Sequence, residues 1–316
     1  LADYVTGHHN WTAFVSGTAI SGGAGGAMIL AFRTGRRPVI GRREGFLLTA
    51  LTWVFMCAFA SLPFALSGAG LSFTDAFFEA MSGLTTTGST VIAGLDTQSR
   101  GILLWRAMLQ WIGGIGIIVL AGVMLPYLGV GGMQLFRTEF SDKVDKIRAR
   151  AGDVTWEISS IYAVLTLICA IMLAVAGMPL FDAVCHAMTT VATSGFSTKD
   201  ASIAHFQTQT IQWIITLFMF IGSLSFMLMT RVVWHGEWRS MVRDEQVRWY
   251  VLLLVILIAL TTLWQAGSNG RDLDSALSSS AFATISIVTT TGYATEDYSQ
   301  WGTFPLTLFM ILLFVG

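Results

Sequence analysis

The stretch Leu84-Thr85-Thr86-Thr87-Gly88-Ser89 decides the reading, because the chain repeats it as Val191-Ala192-Thr193-Ser194-Gly195-Phe196 and Val288-Thr289-Thr290-Thr291-Gly292-Tyr293. The three glycines stand 107 and 97 residues apart. Each motif follows a short apolar stretch and precedes a long one. Short polar loops between apolar helices, repeated along one chain, suggest several walls of a single pore. Backbone carbonyls in such loops replace the hydration shell of an ion.

Outward from the glycines the agreement continues. Asp75-Ala76 and Asp182-Ala183 share an offset, as do Ala80-Met81 and Ala187-Met188. In the third copy Phe282 matches Phe78 and Ser286 matches Ser82. Each unit reads as a spanning helix, a half-length helix, an extended loop and a second spanning helix. The half-helices Thr74–Leu84, Phe181–Val191 and Ala276–Val288 are too short to span. Each points the negative end of its macrodipole toward the loop, which favours a dehydrated cation there. Asp75 and Asp182 fall at the opposite ends, where a carboxylate caps free N–H groups. Non-helical backbone at membrane depth is tolerated only where protein buries it or where it lines a water-filled cavity.

Composition supplies the setting. The chain of 316 residues is 54% hydrophobic and 12% charged, about half the charge of a soluble domain. Apolar runs at Thr12–Phe32, Gly45–Leu66, Ile102–Leu128, Trp156–Ala176, Ile211–Val233 and Trp249–Ala266 are each about long enough to cross a bilayer, and another begins near Phe304. This predicts an all-α, multi-pass membrane protein. Of the 18 basic residues, 14 fall in three alternate connections: Arg33 to Arg43, Arg137 to Arg150 and Arg231 to Arg248. By the positive-inside rule those connections are cytoplasmic and all three glycine motifs face outward. Residues 1–41 read as a partial N-terminal span with a basic connection and 42–130 as the first pore repeat. Residues 131–233 read as a cytoplasmic loop with the second repeat, and 234–316 as a cytoplasmic loop with the third, cut in its second helix. The start at a leucine and the end inside an apolar run give the expectation of a fragment. Cys57, Cys169 and Cys185 read as small hydrophobes. No glycine-rich phosphate loop and no basic nucleic-acid surface is visible.

The three motifs, together with Trp105-Arg106-Ala107-Met108-Leu109-Gln110-Trp111-Ile112-Gly113-Gly114-Ile115-Gly116, make the chain resemble the Trk/Ktr/HKT superfamily of potassium transporters, TrkH-type subunits above all. The resemblance covers nearly the whole chain. It implies four such units arranged pseudo-fourfold around one pore, three of them visible here, with the fourth filter and a gating loop beyond Phe314-Val315-Gly316. It also implies K+ as the transported ion, no other cofactor, a homodimer in the cytoplasmic (inner) membrane and a cytosolic nucleotide-binding regulatory ring. The connections Arg137–Asp153 and Arg231–Arg248 are candidate contacts for that ring. Glycine at all three key positions goes with potassium rather than sodium in this superfamily.

The candidate K+-binding filter is therefore Thr85, Thr86, Thr87 and Gly88, Ala192, Thr193, Ser194 and Gly195, and Thr289, Thr290, Thr291 and Gly292. Asp96, Asp200, Glu296 and Asp297 follow the loops and form either an acidic vestibule or ordinary solvated charge. Arg106, about one turn inside its span, is expected to snorkel to the surface, and Glu79 needs a partner, Arg106 being one. Gly113, Gly114 and Gly116 are expected to pack closely, as is the Gly22–Gly26 cluster. Trp105 and Trp111 read as packing and interface residues. A sodium or other monovalent cation transporter of the same fold is the alternative. Asp75-x-x-x-Glu79 and Asp182-x-x-x-His186 also permit an intramembrane metalloenzyme, and a non-conducting scaffold completes the set. His8 and His9 read as solvated. No transition-metal site and no enzyme is the expectation.

Overall fold

The computed structural model describes residues 3, 10–33, 42–68, 70–119 and 144–314, the side chains of residues 42 and 119–152 excepted. His8, His9, Arg36, Arg37, Arg137, Lys143, Val315 and Gly316 lie outside the described residues, as does the predicted span beyond Val119. Among the described residues the chain is helical, with no strand. After α1 (Trp11–Ala31), the first unit comprises α2 (Arg42–Ala60), α3 (Leu62–Leu66), α4 (Phe73–Leu84) and α5 (Arg100–Val119). The second has α6 (Val144–Val175), α7 (Leu180–Val191), α8 (Gln209–Gly222) and α9 (Phe226–His235). The third has α10 (Trp238–Arg243), α11 (Glu245–Ser268), α12 (Leu273–Val288) and α13 (Thr303–Leu312).

Five helical stretches are long and apolar enough to cross a membrane: Trp11–Ala31, Arg43–Leu66, Arg100–Ile118, Asp153–Val175 and Glu245–Ser268. The expected span Ile211–Val233 is not one rod. It is α8 and α9, bent by 94° around Ser223–Ser225. Gly222 and Ser223 stand at the break, a pairing that commonly kinks helices. The expected connection Arg137–Asp153 is helical from Val144, because α6 runs 32 residues. The third half-helix starts at Leu273, with Asp272 accepting from the Asp274 N–H as N-cap.

The half-helices α4, α7 and α12 each end at a glycine motif. Ser72, not Asp75, is the N-cap of α4: its hydroxyl accepts the Asp75 N–H and donates to the Asp75 carboxylate at 2.7 Å. Asp182 departs further from the capping role. It is buried and accepts the Thr198 hydroxyl at 2.7 Å, tying the start of α7 to the chain beyond the second motif. One apolar core packs α4 against α2, α3 and α5, and a larger one joins the second and third units.

The helix that follows each of the first two loops passes very close to the preceding half-helix. A Cβ added at Gly113 would collide with the Leu84 carbonyl, and one at Gly222 would press on the Val191 carbonyl. Gly114 similarly faces the Tyr162 hydroxyl, so close packing here requires glycine. The Gly22–Gly26 cluster does not behave this way: no atom lies within 4 Å of an added Cβ at Gly22, Gly23, Gly25 or Gly26 among the described residues.

Candidate functional site

The three loops share one backbone conformation. Thr85, Ala192 and Thr289 close their half-helices with φ of −82°, −74° and −82°. The next residues, Thr86, Thr193 and Thr290, turn to φ of +58°, +48° and +56°. Gly88, Gly195 and Gly292 follow at +80°, +78° and +81°. A β-branched residue at positive φ is a genuine outlier, costing about 1–3 kcal/mol each time. Here it occurs three times in register. Each loop thus carries two left-handed residues two positions apart.

The half-helix ends hold this shape with closely similar bonds, the third accepting from one residue later in one of them. The N–H groups of Thr86, Thr193 and Thr290 donate to the carbonyls of Gly83, Thr190 and Ile287. The carbonyls of Ser82, Thr189 and Ser286 accept from Thr87, Ser194 and Gly292. The Ser82 and Ser286 hydroxyls reach over the loop to the carbonyls of Ser89 and Tyr293, at 2.6 and 2.8 Å. The hydroxyls of Thr86 and Thr290 donate to the preceding carbonyl, which leaves their own oxygen lone pairs free to accept.

The loops also meet one another. A Cβ added at Gly88 would strike the Ser194 carbonyl, and one at Gly195 would strike the Thr291 carbonyl, each far inside 3.0 Å. The contact steps from loop to loop in one sense. At Gly292 no described atom lies within 4 Å of an added Cβ.

Between the first and second loops stands a buried polar group in which Glu79 meets Arg106, the partner that the sequence offered it. Arg106, 1% exposed, does not snorkel to the surface. Its Nε meets Glu79 Oε1 at 2.7 Å, its Nη1 donates to the Ser197 carbonyl at 2.8 Å, and its guanidinium lies over the Phe196 ring. Glu79, 0% exposed, also accepts from the Thr90 hydroxyl and the Val91 N–H. Ser197 in turn bonds His186 Nε2 at 3.0 Å. His186 Nδ1 donates to the Asp182 carbonyl, so Nε2 is the acceptor. Gln110, from α5, reaches Ser194 and Phe196 on either side of Gly195.

The second and third loops meet without charge. The buried Tyr293 hydroxyl contacts the Thr189 hydroxyl. Ser202, itself at φ +54°, accepts the Ala294 N–H, and the Ala204 N–H donates to the Ala294 carbonyl.

Residues 12–316 match the family model described as TrkH, cation transport protein. The chain belongs to that family. It is 44% identical over 272 residues to the Trk system potassium uptake protein TrkI of Halomonas elongata, covering 86% of this chain and 55% of that protein. It is 42% identical over 311 residues to TrkH of the same organism, covering 97% and 64%. The crystal structure of the potassium transporter TrkH from Vibrio parahaemolyticus superposes with a TM-score of 0.84 at 33% identity, over 95% of this chain and 62% of that one. The chain thus spans less than two thirds of these relatives. The TrkH family is one of transporters, not enzymes, in keeping with the reading of the motifs.

In this TrkH-family chain the four acidic residues after the loops all have partners. Asp200 accepts the N–H groups of Leu95 and Asp96, and the Leu95 bond holds its carboxyl below the usual range. Asp96 lies 3.7 Å from Lys199, Glu296 pairs with Arg271 at 2.6 Å, and Asp297 accepts from Ser299. The pairs Asp75–Glu79 and Asp182–His186 do not gather into a ligand set, and no group of three metal-binding side chains occurs among the described residues. Glu79, Asp182 and His186 instead each bond a residue beyond the motif, Val91, Thr198 and Ser197 respectively. Trp105 and Trp111 pack inward, donating to the Ala60 carbonyl and the Thr166 hydroxyl. The three cysteines are buried and unbonded to one another.

Proposed function

We propose that this chain carries most of the pore of a potassium uptake protein of the cytoplasmic membrane. The observation that carries the reading is the backbone repeat: three threonines at positive φ, each two residues before a glycine at positive φ. Strain repeated in register at a half-helix end clusters at ligand-binding sites, and backbone carbonyls in such loops can coordinate an ion. The negative ends of α4, α7 and α12 add to the field that favours a cation. The relatives' names support potassium as the ion, and glycine at positions 88, 195 and 292 agrees with it. The acidic residues at the mouth are offset in part by Lys199 and Arg271, which leaves a weakly negative vestibule. A homodimer and a cytosolic regulatory ring remain part of the proposal for the whole protein.

Selectivity is the direct test. Gly88→Ser in the full-length protein adds a side chain at a left-handed position and against the Ser194 carbonyl. The expected outcome is a clear fall in potassium-over-sodium uptake with the protein still in the membrane; an unaltered ratio removes Gly88 from the filter. Orientation has its own test. A cysteine replacing Lys199 should react with an impermeant thiol reagent from outside, and one replacing Arg243 only after permeabilisation. The reverse pattern would invert the assignment of faces.

A further inference from the structure

Gln110 is fully buried on α5 in the first unit, yet both of its polar atoms are spent on the second. Its Nε2 donates to the Ser194 carbonyl at 2.9 Å and its Oε1 accepts the Phe196 N–H at 3.0 Å. Only one orientation of the amide satisfies both bonds, so donor and acceptor are assigned by the partners.

The two groups it holds flank Gly195. Glycine has the freest backbone of any residue, so the peptides on its two sides turn over easily unless something fixes them. We propose that Gln110 is a positioning residue for the second loop. By gripping the Ser194 carbonyl and the Phe196 N–H together, it prevents rotation of the peptides around Gly195 and thereby sets the ion preference of that part of the pore. The grip reaches further, because the Ser194 carbonyl it holds is the one that lies against Gly88. Gln110 thus orders the contact between two loops with one side chain.

The arrangement is peculiar to this junction. Among the described residues no side chain donates to the carbonyl of Thr87 or Thr291, the positions matching Ser194. Matching Gly113 with Gly222, whose neighbours are the equivalent carbonyls of Leu84 and Val191, puts Met219 where Gln110 stands in the first unit. Met219 is as buried as Gln110 but offers no donor. A methionine is therefore sterically acceptable at this point of the repeat, and the glutamine is there for its amide.

This inference rests on the reading of the loops as a filter, and the experiment separates the two. In the full-length protein, potassium and sodium uptake are compared for the wild type, Gln110→Met, Gln110→Asn and Gly195→Ser. Gln110→Met copies the second unit and keeps the volume. Gln110→Asn keeps the amide but is too short to reach both partners, and it stands in if the methionine variant is not inserted. The expected result is a fall of about 2- to 10-fold in potassium-over-sodium preference for either glutamine variant, the worth of about one hydrogen bond. Membrane abundance should stay close to wild type. An unchanged preference in the Gln110 variants, with a changed one in Gly195→Ser, overturns the positioning role. An unchanged preference in all three variants overturns the filter reading itself.

Discussion

The seam between the first and second loops and the seam between the second and third solve the same problem with opposite chemistry. At the first, a buried Arg106–Glu79 pair with Gln110 joins the loops through Ser197, Ser194 and Phe196. At the second, Tyr293 and backbone bonds at Ala294 suffice. The repeat explains how this is possible. Position for position, Glu79 corresponds to His186 and Ala283, while Arg106 and Gln110 correspond to Ile215 and Met219. The loop backbone is common to all three copies, but the side chains that join one copy to the next are not. Identity of the loops therefore demands only the half-helix end, the threonine and the glycine.

The difference makes unequal predictions. Arg106→Ala leaves the Glu79 carboxylate buried beside only Thr90 and Val91, and the expected cost is roughly 3–5 kcal/mol. Thermal unfolding of the purified full-length protein measures it. Adding Glu79→Gln should restore much of the loss, since replacing a whole buried pair is far cheaper than breaking it. Tyr293→Phe removes one hydroxyl whose partner Thr189 keeps its bonds to the Cys185 and His186 carbonyls. About 0.5–1.5 kcal/mol is expected. Equal losses in the two variants would erase the distinction between the seams.

The smallest effect belongs to Asp200, which fastens the start of the Leu95 turn to the second loop. Its carboxyl is held below the ordinary value of 3.8 by that bond. A lowered folded-state value means stability that is present above the unfolded-state value and lost as pH falls through the folded one. Asp200→Asn should cost a small amount of stability at neutral pH, where the wild-type contribution is fully present, and flatten the profile in that acid range, where the wild type loses it. A loss at neutral pH as large as that of Tyr293→Phe would mean that Asp200 does more than fasten a turn.

Much of the site is legible in the sequence because its rules are local. A half-helix, a threonine and a glycine lie within a few residues, and the glycine spacing sets their register. What escapes is non-local. Arg106 could be named as a partner for Glu79 across 27 residues, but nothing in its neighbourhood announces its burial or its bond to Ser197 across 91. A charge one turn from a helix end reads as a surface anchor unless a partner is known. The break between α8 and α9 had a local signal in Gly222-Ser223, but it is masked by continuous hydrophobicity on both sides. Conversely, Gly22, Gly23, Gly25 and Gly26 look like a packing face, yet among the described residues no atom lies within 4 Å of an added Cβ at any of them.

The bend in the second unit has a consequence for the surrounding lipid. With 14 residues before the turn, α8 rises about 21 Å, against roughly 30 Å of hydrocarbon in a typical bilayer. α11, with 24 residues, rises about 36 Å. The apolar lengths of these two helices are therefore uneven, short at α8 and long at α11. Acyl chains beside a short helix shorten or tilt, at fractions of a kcal/mol per Å of mismatch, so lipid reaching the exposed Trp213 and Leu217 of α8 would pack differently from lipid beside α11.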